Sequence, residues 1–177
     1  MAVHDVSNLF TKRQKVAICL IFSHLMDSDG IANIIELTAA EKIGQEELNL
    51  NLGVDEEIKS LSNQMQPLSL KSLSGYLKGL NIQQKEFIMD AGFRIMKADG
   101  AITDLESDFM NEVTDELDIT PAEIDATAKK FGWYPNNQTY SPVKENVNNS
   151  GCFVVLTLFI VSIISTLFII LKISNSI

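Results

Sequence analysis

Basic residues are scarce in this chain. Fourteen Lys and Arg stand against 23 Asp and Glu, and the only basic cluster is Lys12, Arg13 and Lys15. A nucleic-acid-binding surface needs clustered Lys and Arg to displace phosphate counterions, so nucleic acid is excluded as a partner. Cysteine is equally rare: Cys19 and Cys152 are far apart and form no CxxC. That excludes a disulfide framework or a zinc ribbon and fits a reducing compartment. The two histidines, His4 and His24, cannot build a His-rich metal centre. Neither a Gly-rich phosphate loop nor a nucleophile–base constellation is present, so no enzyme is expected.

What the chain has in excess is apolar sequence at one end. Of its 177 residues 46% are hydrophobic, and Cys152–Leu171 reads CFVVLTLFIVSIISTLFIIL, without a charge. About 20 residues at 1.5 Å each span a hydrocarbon core of roughly 30 Å. This predicts one transmembrane helix, followed only by the tail 172–177. At the other end, Val16–Phe22 follows the basic cluster, as in a signal peptide. The run is short, however, and Ser23 and His24 interrupt it with no cleavage site after it. It reads as a core helix. The expected layout is a tail-anchored, single-pass membrane protein with its domain in the cytoplasm.

The organisation is a helical domain over 1–131, a linker over 132–151, a transmembrane helix over 152–171 and the tail. The linker, GWYPNNQTYSPVKENVNNSG, is rich in Pro, Asn and Ser. In the domain, Phe10, Ala17, Ile18, Ile21 and Leu25 recur at helical spacing, and 33–43 repeats the pattern. Signals are weaker from 46 to 80, where short helices are predicted around Val54–Leu61 and Leu68–Leu80, divided by Gly53 and Pro67. Asn81 and Gln84 open a strong helix to about Lys97 that carries Ile82, Phe87, Ile88 and Phe93. Thr103 and Glu106 open the next, with Leu105, Phe109, Val113 and Leu117 as its apolar face. Thr120, Pro121 and Glu123 open a last one. The fold class is all-α.

The chain also matches itself. MDSDGIANIIEL (Met26–Leu37) aligns with MKADGAITDLES (Met96–Ser107), setting Asp29 on Asp99, Gly30 on Gly100 and Glu36 on Glu106. Two explanations fit. Helix punctuation uses Gly30 and Gly100 as left-handed terminators, Asn33 and Thr103 as N-caps, and Glu36 and Glu106 as their N3 partners. Divalent-cation binding uses converging carboxylates, as hard cations require. Its candidates are Asp29 and Asp99, supported by Asp27, Asp104, Glu106 and Asp108, with Glu36 kept as a capping residue. The D-G-x5-E spacing coincides with positions 5, 6 and 12 of an EF-hand loop. Yet Leu25 and Ile95 would fall at its first ligand position, which argues against an EF-hand.

These corners resemble the TerB family of tellurite-resistance proteins, and DELDITPAEID (Asp115–Asp125) is similar to that family's ending. The resemblance covers roughly 10–130. It implies an all-helical domain of two pseudo-repeated halves whose acidic corners are linked to divalent metal, and a role in tellurite, metal or envelope stress. Related domains occur beside membrane anchors and in DnaJ-like co-chaperones, but no J-domain signature is present here. The first copy departs from the pattern with Ile31 and Ala32 after its DG.

From Ala98 to Ala128 there are ten acids and no Lys or Arg. Asp104, Asp108, Glu112 and Asp115 follow one another at helical spacing, which makes a solvated face the simplest reading. A second reading makes it a dock for a basic protein partner, with no metal. His24 and Cys19 read as core residues, and Cys152 stands where a membrane-edge thiol could be acylated.

Overall fold

The computed structural model describes residues 6–30, 33–50, 55–66 and 68–133. Among these, seven α-helices and no strand are found: α1 (Lys12–Met26), α2 (Ile34–Lys42), α3 (Glu56–Met65), α4 (Leu70–Ser74), α5 (Ile82–Met96), α6 (Asp104–Glu116) and α7 (Pro121–Phe131). The expectation of an all-helical domain is met.

The internal repeat is wider than the DG corners. α5 is α1 displaced by 70 residues, helix start for helix start and end for end. Both open with a reciprocal capping box. Thr11 caps Gln14 in α1, and Asn81 caps Gln84 in α5, each Gln returning a bond to the N-cap N–H. Both close on a left-handed glycine, Gly30 at φ +74° and Gly100 at φ +94°, whose N–H donates to the carbonyl of the third residue back.

α1 is the central helix. It buries Val16, Ile18, Ile21, Phe22 and Leu25 and packs against α2, α3, α4, α5 and α6. Burying such a side chain contributes roughly 1.5–3 kcal/mol, so α1 and α5 together hold the domain. α5 packs on α1, α2, α6 and α7. α6 packs onto α5 at Gly92, where a Cβ would lie 2.7 Å from Met110 Cε. Not every apolar residue of the predicted helices is core. Leu105 is 47% exposed and Ile82 48%, because both sit in the first turn of their helices, beyond the neighbours that cover the following turns.

The weakly signalled middle contains α3 and α4, the latter running into a 3-10 turn over Gly75–Leu77. α2 runs into a π-turn over Ile43–Glu47, where Leu48 N–H bonds to Ile43 carbonyl five residues back. At the far end, Gly132 adopts φ +68° and Trp133 N–H returns to Ala128 carbonyl. Trp133 is then buried: its ring stacks on Phe93 with centroids 4.6 Å apart, and its indole N–H donates to Asp90 Oδ1 at 3.2 Å. The packed unit therefore runs on through Trp133, a residue that composition alone assigns to the linker.

Among the described residues no helix is long and apolar enough to cross a membrane. The expected transmembrane helix 152–171, the tail, Cys152 and the linker from Tyr134 onward lie outside the described residues, as do His4, Ile31, Ala32, Gly53 and Pro67.

Candidate functional site

α1 and α5 end side by side, and so the two DG corners meet. The contact is a hydrogen bond: Asn33 Nδ2 donates to Asp99 Oδ2 at 2.9 Å. The other oxygen of Asp99 accepts from Ala101 N–H at 3.0 Å, closing an Asx-type turn within the second corner. Asn33 also caps α2, its Oδ1 accepting from Ile35 N–H at 2.9 Å. One carboxylate thus fastens the start of α2 to the loop before α6.

Behind this link sit two buried glutamates, Glu36 (5% exposed) and Glu106 (2%). Their roles differ. Glu106 completes the predicted capping box: Thr103 N–H and Oγ1 donate to its Oε2 at 2.7 and 2.8 Å. Its Oε1 is buried without a hydrogen-bond partner. Glu36 does not cap α2 as the Asn-x-x-Glu spacing predicts. Asn33 reaches Ile35 N–H, and no reciprocal bond from Glu36 closes a box. Instead Glu36 turns inward. Burial, followed by the charges of Glu106, Asp99 and Asp29, pushes its carboxyl up to about 7.

Asp27, the C-cap of α1, is half-buried and pushed up to about 6 by burial and by Asp29. Among the described residues, the buried side-chain oxygens without a hydrogen-bond partner are Asp27 Oδ1, Ser28 Oγ and Glu106 Oε1. All three belong to the corners. Buried polar atoms normally find partners, since leaving one bare costs about 1–3 kcal/mol. A carboxylate oxygen held this way is a ready ligand for a hard cation.

The sequence candidates therefore divide. Asp29, Asp99, Glu106 and Asp27 gather at the seam. Asp104 is exposed at the first position of α6 and Asp108 half-buried one turn later; neither is among the charges acting on Glu36 or Asp27. Glu36 is the seam residue that sequence reasoning sets aside, although the repeat pairing it with Glu106 is a usable signal. Among the described residues no group of three or more His, Cys, Asp or Glu is arranged so as to hold a metal ion. Away from the seam, His24 is held below its ordinary value by burial, offset in part by a bond with the Leu68 backbone. Burial pushes the Cys19 thiol up to about 12, which leaves it protonated and unreactive.

A family model described as "Tellurite resistance protein TerB" matches residues 15–129, from the first turn of α1 to the last turn of α7. No curated protein and no solved structure matches the chain.

Proposed function

We propose that this chain, which belongs to the TerB family of tellurite resistance proteins, is a binding module that holds one hard divalent cation at the seam between its two acidic corners. The observation that carries this reading is Glu106 Oε1, a buried carboxylate oxygen without a partner, beside Glu36 and Asp99. Asp29, Asp99, Glu36 and Glu106 are the ligands, with Asp27 in support. Hard cations take several oxygen ligands at 2.0–2.6 Å. The carboxylates of the described seam do not converge that closely on their own, so the ion closes its own site. It offsets the mutual repulsion of the acids and ties the first half of the domain to the second. The module acts through binding, not turnover, in a response to tellurite or metal stress.

The test is thermal melting of the full chain, kept in solution with a nonionic detergent, against Ca²⁺, Mg²⁺, Mn²⁺ and Zn²⁺. A ligand at 100 times its Kd adds about 2.7 kcal/mol, which raises the melt by roughly 5–10 °C. Asp99→Asn and Glu36→Gln should each remove most of that shift, measured from the variant's own metal-free melt. If no divalent ion moves the wild-type melt at millimolar concentration, the corners are helix punctuation.

The uncharged run 152–171 supports a membrane tether for this module, with the domain on the cytoplasmic side. Fractionation of cells expressing the full chain and residues 1–150 should find only the former with membranes. Both forms in the soluble fraction would remove the tether.

A further inference from the structure

The seam is rimmed by exposed aliphatic side chains. Ile34 is 70% exposed, Ile35 52%, Leu105 47% and Ile102 39%. Their placement follows from the repeat: Ile35 and Leu105 occupy the same position, the second residue of α2 and of α6. The junction between the two helix starts is the Asp99 carboxylate, which accepts from Asn33, the residue before Ile34, and from Ala101, the residue before Ile102. Isolated exposed aliphatics need no explanation, but four around one hydrogen-bonded junction form a patch. Beside it runs the exposed side of α6, with Asp104, Asp108 and Glu112, in a stretch that carries no Lys or Arg from Ala98 to Ala128.

From this juxtaposition we infer that the seam is a docking surface for an amphipathic helix of a protein partner. The partner's aliphatic stripe covers Ile34, Ile35, Ile102 and Leu105, and its Lys and Arg residues face the acids of α6. Charge complementarity selects this occupant. An anionic membrane surface is repelled by the acids, and so is a second copy of a chain with net charge −9. The chain's own run 152–171 is uncharged and matches only the aliphatic half. Helix-in-groove recognition of this kind combines spaced aliphatic anchors with a charged rim. The surface stands apart from the cation site, since it uses exposed side chains on the outer side of the same helix starts.

The probe is a fluorescein-labelled 18-residue Leu/Lys peptide with its leucines on one helical stripe, compared with a scrambled peptide of the same composition. Binding to the full chain is read by anisotropy in nonionic detergent and EDTA, so that no divalent ion contributes. The striped peptide should bind at least tenfold more tightly than the scrambled one. Ile35→Ser combined with Leu105→Ser should weaken it at least tenfold with an unchanged melt, since both side chains are exposed. Asp104→Asn combined with Asp108→Asn should flatten its salt dependence. Equal binding of the two peptides, or full binding by the Ile35/Leu105 variant, would overturn the inference. So would capture of phosphatidylglycerol vesicles by the full chain in preference to the striped peptide, with the same loss in that variant.

Discussion

The two corners of this domain share one backbone and use it differently. Each follows a 15-residue helix, turns on a left-handed glycine and starts a helix with a polar cap. Where the first has Asp27, half-buried and pushed up by burial and Asp29, the second has Lys97, exposed and placed over the Phe93 ring at 5.8 Å. Where the second uses one oxygen of Glu106 to cap α6, the first uses nothing of Glu36 on α2. The second corner thus uses one oxygen of its glutamate as a cap and leaves the other bare, whereas in the first corner Asp27 and Glu36 are the carboxyls pushed up by burial and neighbouring charge. Repetition supplied the scaffold, and the departures from it concentrate charge on one side of the seam.

Removing each glutamate in turn sharpens this contrast most. Glu106→Ala takes the acceptor from Thr103 N–H and Oγ1, and losing such a cap costs on the order of 1–2 kcal/mol, or about 3–6 °C in melting temperature. Glu36→Ala removes no cap and relieves repulsion, so its metal-free melt should fall much less or rise. Equal losses in the two variants would mean that the corners are equivalent after all.

A smaller effect separates them by pH. Because the folded value of Glu36, about 7, lies above its ordinary 4.5, its protonated form favours the folded state. That stability is fully present below pH 4.5 and is lost as pH rises through 7. Glu36→Gln has nothing to lose there. Its metal-free melt should draw above that of the wild type by several degrees across this window and stay level beyond it. His24, held low and therefore opposing near its ordinary 6.5, is common to both proteins and cancels in the difference. A gap that does not change with pH would remove Glu36 from the carboxyls pushed up in the first corner.

Most of this fold is readable because its helices announce their own ends. The Asn81–Gln84, Thr103–Glu106 and Thr120–Glu123 pairs are local signals, and each forms the box its spacing predicts. The meeting of the corners is readable from the repeat, since like halves packed together bring like turns together. Glu36 escapes the sequence for the same local reason. Asn-x-x-Glu satisfies the capping pattern, but the amide of Asn33 is engaged by Asp99, 66 residues away, and no local pattern carries that information. Leu105 escapes it because a four-residue period says which residues share a face, not where along the helix its cover begins. The π-turn at Ile43–Glu47 has no sequence signature of its own, and Trp133 lies in a stretch whose Pro and Asn content describes the residues after it.

Trp133 also gives the domain a handle. A pull on the chain beyond residue 133 is shared between the backbone of α7 and the indole, which bears on Phe93 and Asp90 of α5. Asp90 in turn holds Arg94 Nε at 2.9 Å, and Arg94 grips Glu47 with two parallel bonds of 2.7 and 2.9 Å. The part of that tension that enters α5 reaches the first half of the molecule through this forked ion pair, whose two parallel bonds fix its geometry. It travels along α5, the helix whose last turn leads into Asp99, so the part of the domain that bears load and the part that closes the acidic seam are one rigid rod.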